Sequence, residues 1–199
     1  MGMPAPSPIL PDRSRRDWTV EQLHALPDDG NRYEVVDGEL LVTPAPSWLH
    51  QHALFELGLI LHPYADACGL DLLVAPAEVS FSPRRSVEPD LFVVPRVDGR
   101  RAWRFDEVRA LLLAVEIVSP STHRADRFLK RRLYQGQHVA EYWTVEPEAR
   151  IVERWTPTHD TPDAPIDVLT WAPRPEVEPL VIDLASYFRR VHGENLTKG

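Results

Sequence analysis

Residues 111–137 read LLLAVEIVSPSTHRADRFLKRRLYQGQ, and this stretch decides the fold. LLLAVEIV is a continuous apolar run, the pattern of a strand covered on both faces, as a central strand is. Ser119-Pro120 ends it. The residues that follow keep helical spacing as far as Gly136, which predicts a helix over the THRADRFLKRRLYQGQ segment. One acid, Glu116, interrupts the apolar strand. A carboxylate in such a strand is expensive to bury unless something cationic pairs with it. Lys130 follows on the next helix, with Asp126 four residues before it and Tyr134 four residues after, so all three share one face. Because the helix directly follows the strand, it is placed to fold back over the strand's end.

Upstream, VEPDLFVV (87–94) predicts a second strand, with Pro89 near its start and Asp90 behind it. Carboxylates on neighbouring strands repel each other, and a divalent cation relieves both that repulsion and the cost of burial. Mg²⁺ favours one or two carboxylates completed by waters and substrate phosphate oxygens. Asp90 and Glu116 are therefore candidate metal ligands, and Lys130 is placed to hold an attacking water or steady a phosphate. The base composition draws attention to the same lysine. The 22 basic residues are 20 Arg and 2 Lys, and the second lysine, Lys198, is near the C-terminus. An ammonium in an arginine-rich chain suggests a site that needs a compact charge rather than a guanidinium fork, although chance gives the same count. Plainer readings stand beside these. Pro-Asp is a common turn dipeptide, Glu116 pairs structurally with one of many arginines, and Asp126–Lys130 is a surface ion pair worth roughly 0.3–0.5 kcal/mol.

The remainder of the chain supplies the other elements. Thr19 with Gln22 reads as a capping box opening a short helix. RYEVVDGELLVTPAP is a hairpin turning at Asp37-Gly38. Trp48 to Cys68 is a helix with Leu54, Leu57, Leu61 and Tyr64 on its apolar face and Gly69 just beyond it. Leu70 to Phe81 reads as one strand, and residues 97–108 as a loop or short helix. EYWTVEPEARIVERWTP is a second hairpin turning at 146–149, 167–171 and 180–182 are further strands, and ASYFRRV is a last helix. The order predicts an α/β (α+β) domain, a mixed central sheet flanked by helices. It is expected over 17–191, with a disordered tail at 1–16 and a C-terminal tail at 192–199. The 199 residues are 43% hydrophobic and 26% charged, with net charge −8, which argues against a non-specific coat on nucleic acid. With Cys68 the lone cysteine, no internal disulfide or cysteine-rich zinc site can form. A lone cysteine suits the reducing cytoplasm, which is the expected location, and no apolar stretch is long enough for a membrane span, so no membrane partner is expected.

Taken in order, YEVVDGEL, PAPSWLH, PDLFVV, VEIVSPST, D-x-x-x-K-x-x-x-Y and EYWTVEP resemble the Uma-type restriction-endonuclease family of the PD-(D/E)xK nuclease superfamily, from about Trp18 to Trp155. The resemblance implies a restriction-endonuclease-like fold and a Mg²⁺- or Mn²⁺-dependent endonuclease acting on DNA. Asp90 matches the motif Asp and Glu116 the motif acid. The backbone carbonyl of Ile117 is implied as a third metal contact, and Glu34 matches an early acidic residue near the metal. The usual lysine two residues after the acid is Val118 here, and the resemblance moves that role to Lys130. A homodimer is expected because cutting two strands calls for two sites.

Two other classes compete. One is a nuclease-fold module without activity that binds a protein or nucleic-acid partner, favoured by the acidic balance and the missing in-strand lysine. The other is a hydrolase with Ser119 or Ser121 as nucleophile, which lacks a G-x-S-x-G elbow. His50 and His52, near a helix start, have two readings: they orient phosphate or metal, or, the favoured one, they are partly exposed without a special role. Cys68 is read as core, and Trp143 and Trp155 as core or interface.

Overall fold

Asp37 and Gly38 both adopt positive φ, 53° and 85°, the combination a type I′ hairpin turn needs. They join β1 (Arg32–Val36) to β2 (Glu39–Thr43) as expected. Gly38 is also required sterically, since a Cβ there would lie 2.4 Å from the Arg16 carbonyl oxygen. The computed structural model describes residues 11–108, 110–120 and 122–194. Residues 1–10 and 195–199, parts of the expected tails, lie outside the described residues, as does Ser121.

The central sheet has five strands: β3 (Leu70–Val74), β6 (Leu91–Pro95), β7 (Leu113–Ile117), β8 (Glu141–Glu146) and β9 (Ile151–Trp155), in that spatial order. All neighbours are antiparallel except β7 and β8. A parallel pair needs a crossover, and the helix read from THRADRFLKRRLYQGQ provides it. That helix is not uniform. Ala125–Lys130 is a π turn, with the Arg131 amide reaching the Asp126 carbonyl, and α4 (Arg131–Gly136) continues it. The apolar run is central as expected, and every residue of β7 is buried.

Alternation along β7 sets its two faces. Leu113, Val115 and Ile117 pack with Leu54, Leu57 and Leu61 of α2 (Trp48–Ala67) and with Tyr187 and Phe188 of α5 (Leu184–Val191). Ala114 packs on the other side with Leu133, Tyr134 and Tyr142. A period of two therefore directs Glu116 toward the Ala114 face, the face that α4 covers. Truncating a core leucine such as Leu57 to Ala costs about 2–5 kcal/mol.

A second sheet joins β2, β1, β5 (Arg85–Val87) and β4 (Val79–Ser82) in that order, and β10 (Val168–Trp171) pairs with β11 (Leu180–Asp183). The single strand expected over Leu70–Phe81 is thus two strands in two sheets. Pro76 lies in the break and has no N–H to donate to a ladder. Asp90 falls just before β6 rather than within it. Two short helices, α1 (Val20–His24) with its Thr19–Gln22 capping box and α3 (Phe105–Val108), complete the chain. No helix of the described residues is long and apolar enough to cross a membrane.

Candidate active site

Glu116, on the α4-facing side of β7, accepts hydrogen bonds at Oε1 from Lys130 Nζ (3.0 Å) and Tyr134 Oη (3.0 Å). The lysine serves two more acids, lying 2.9 Å from Glu34 Oε2 and 3.6 Å from Asp126 Oδ1. Glu34 is on β1, so the second sheet closes the cluster from above, and its other oxygen accepts from the Glu88 amide at 2.8 Å. Tyr142 Oη donates to the Asp126 carbonyl at 2.9 Å and pins the π turn against β8. Glu34, Glu116, Asp126 and Lys130 are all at most 2% exposed. That burial removes the reading of Asp126–Lys130 as a surface ion pair.

Asp90 forms the neighbouring half of the site. Its Oδ1 accepts from Arg32 Nη1 at 2.7 Å, and its Oδ2 accepts from the Ile117 amide at 2.8 Å and lies 3.0 Å from His50 Nε2. The Ile117 contact ties the head of β6 to the end of β7. His50 sits in the first turn of α2, where the Ser47 hydroxyl accepts from its backbone amide. His50 thus has a long-range partner in Asp90, while His52 is exposed. Arg32 went unnoticed in the sequence. It stands two residues before Glu34, which puts both on one face of β1, and that spacing is the signal that would have found it.

Charge within the cluster does not balance. Four buried carboxylates (Glu34, Asp90, Glu116, Asp126) face two permanent cations, Lys130 and Arg32. Burial disfavours the Lys130 ammonium, but Glu116, Glu34 and Asp126 outweigh it and hold its pKa above the ordinary value. Asp90 is also buried, yet the His50 hydrogen bond and the Arg32 charge keep its pKa below the usual carboxylate range. Glu116 moves the other way, raised by burial against the pull of Lys130 and further by Asp90, Asp126 and Glu34. Asp126 is pushed up to about 6 by burial, with Lys130 and a Thr122 hydrogen bond opposing. Burial and mutual repulsion thus make full ionisation of the cluster costly.

A cleft of about 840 Å³ opens over this arrangement, with Arg32, His50, Asp90, Ile117, Thr122 and Asp126 in its wall. Glu34, Glu116 and Lys130 do not line it. Glu116 Oε2 is buried and has no hydrogen-bond partner among the described residues. An unpaired buried carboxylate oxygen, in a group with surplus negative charge, fits a divalent cation. Among the described residues no three His, Cys, Asp or Glu side chains form a ready cage. Mg²⁺ does not need one, since it keeps several waters.

The other sequence readings are placed as follows. Trp143 and Trp155 pack in the core, the Trp143 indole donating to Glu141 Oε2 at 2.8 Å. Arg131 stacks on Trp155, its guanidinium 4.5 Å from the ring centroid. The Ser119 hydroxyl lies 3.1 Å from the Thr122 hydroxyl at the start of the crossover.

Comparison with known proteins relates the chain to a family and to solved structures. The family model described as "Uma2: Putative restriction endonuclease" matches residues 20–184. The fold is similar to that of a crystal structure described as "a putative nuclease belonging to DUF820" from Anabaena variabilis ATCC 29413. The TM-score is 0.71 at 17% identity, covering 87% of this chain and 99% of that one. No curated protein matches the chain.

Proposed function

As this chain belongs to the Uma2 family, we propose that it is a Mg²⁺- or Mn²⁺-dependent endonuclease that hydrolyses DNA phosphodiester bonds in the cleft over Asp90. The observation that carries this reading is the uncompensated negative charge of four buried carboxylates, with Glu116 Oε2 lacking a hydrogen-bond partner among the described residues. Asp90, Glu116 and the Ile117 carbonyl would hold the ion. When bound, it lowers the pKa of water and neutralises charge on a phosphate.

The chain's own groups do the rest. Lys130 and Tyr134 donate to Oε1 of Glu116 and so fix which oxygen stays available. Lys130 also contributes positive charge against the negative charge that develops on the phosphate. Glu34 and Asp126 keep the ammonium protonated and in place. Arg32 and His50, both in the cleft wall, are suited to phosphate oxygens. The assembly is proposed as a homodimer, on the ground that two strands require two cuts.

Cleavage of supercoiled plasmid with Mg²⁺, Mn²⁺ or EDTA tests the proposal. Nicking should require metal, and Glu116→Gln, isosteric and uncharged, should lose it. Metal-independent nicking, or full activity in Glu116→Gln, refutes the site. A second reading, a binding module without activity, is favoured by one observation: both oxygens of Asp90 already have protein partners. It expects DNA or protein binding that is indifferent to Glu116→Gln.

A further inference from the structure

The Arg32 contact is odd in an enzyme whose Asp90 holds a metal. A guanidinium sits on the very carboxylate the ion needs, 2.7 Å from Oδ1. It does so incompletely, because Arg32 Nε is buried and has no hydrogen-bond partner among the described residues. His50, on the other oxygen, likewise keeps a buried Nδ1 without a hydrogen-bond partner among those residues. Both residues line the cleft, whereas Glu116 with its open oxygen lies behind. A cation entering from the cleft thus meets Asp90 and Arg32 before it reaches Glu116. Buried polar groups are normally satisfied, so two orphaned nitrogens flanking one carboxylate mark a position that suits another state of the site better. An Arg Nε–H and its neighbouring Nη–H form a fork that matches phosphate oxygens, which are what a substrate brings to this wall.

Resting on the nuclease reading above, we propose that Arg32 is a cationic stopper: it competes with the divalent ion for Asp90, and when the ion enters it moves from Asp90 to a phosphate of the DNA. Two like charges cannot share Asp90 at close range without repulsion, so metal entry and Arg32 departure are coupled. The site is then held shut by its own arginine until metal arrives, and the displaced arginine strengthens the grip on substrate.

Mn²⁺ titration followed by electron paramagnetic resonance, without DNA, tests the first half. Arg32→Met should bind Mn²⁺ about tenfold tighter than wild type, and adding Glu116→Gln should abolish binding in either background. Unchanged or weaker binding by Arg32→Met, with Glu116→Gln still abolishing it, overturns the stopper while the nuclease reading stands. No Glu116-dependent Mn²⁺ binding in any variant overturns both. Duplex binding by fluorescence anisotropy in Ca²⁺ tests the second half: Arg32→Met should weaken it about tenfold, and undiminished affinity overturns the phosphate contact. Should Arg32→Met fail to fold, the wild-type protein still decides the matter. The Arg32 Nε–H resonance should shift and exchange faster with solvent on adding Mg²⁺, and an unmoved resonance in metal-saturated protein overturns the proposal.

Discussion

Two places in this molecule bury acids beside cations, and they differ in balance. In and behind the cleft wall, Glu34, Glu116 and Asp126 share Lys130, and Asp90 takes Arg32. On the far edge of the central sheet, Asp71 accepts from Arg96 Nε at 3.1 Å and lies 3.4 Å from Arg101, while Asp66 pairs with Arg96 beside a cavity of about 260 Å³. Asp71, like Glu116, keeps one buried oxygen without a hydrogen-bond partner among the described residues. An orphaned carboxylate oxygen therefore does not identify a metal site. What separates the regions is arithmetic of charge and access to water. Around Asp71 two acids meet two arginines, and Arg101 is 73% exposed at its side chain. Around Glu116 four acids meet two cations, and the lysine is fully enclosed. The first arrangement is neutral without help, whereas the second needs protons or a cation.

The comparison breaks most visibly at the lysine. Lys130→Met strands three carboxylates and should cost about 3–5 kcal/mol. Arg96→Met leaves Asp71 with Arg101 as a second cation and should cost less than Lys130→Met. Urea midpoints on the metal-free proteins measure both, and equal losses would erase the distinction. Next comes catalysis: Glu116→Gln should lower plasmid nicking by roughly 10²–10³-fold, and Asp71→Asn should leave it within about threefold of wild type.

A finer difference lies in pH. Asp126 moves from an ordinary 3.8 to about 6, chiefly through burial. Between those values the folded chain holds a proton that the unfolded chain has released, so the stability this group contributes is complete below pH 3.8 and is lost as pH rises through 6. Urea midpoints in EDTA should decline across that window, and Asp126→Asn should flatten the decline. An unchanged slope in the variant would remove Asp126 from the cluster. The smallest effect is expected of Arg101→Ala, which should shift stability by about 0–1 kcal/mol.

The Glu116–Lys130 contact was legible in the sequence because its logic is local. Glu116 announced itself by being the acid in an apolar strand, and Lys130 by its place on the helix that follows, so the pair was legible across one strand–helix unit. The Asp37-Gly38 hairpin was legible for the same reason, since its turn chemistry is contained in two residues. Asp90 was visible as a candidate, but its partners were not: Arg32 is 58 residues away and His50 is 40, on elements that meet Asp90 only after three layers pack. The division of Leu70–Phe81 between two sheets was hidden because both parts are apolar enough for strands, and only the sheet assignment separates them. The π turn was missed because α spacing already placed Asp126, Lys130 and Tyr134 on one face.

One parallel junction in an otherwise antiparallel sheet carries a consequence for how the molecule comes apart. The crossover that lets β8 lie beside β7 is the segment that delivers Lys130 to Glu116. Sheet pairing and site assembly are thereby linked through one segment of chain. Under native-state hydrogen exchange the amides of β7 and β8 should open only with global unfolding. Arg32 is borrowed from β1, which belongs to the second sheet rather than the central one, and the β1 amides should open before those of β7 and β8.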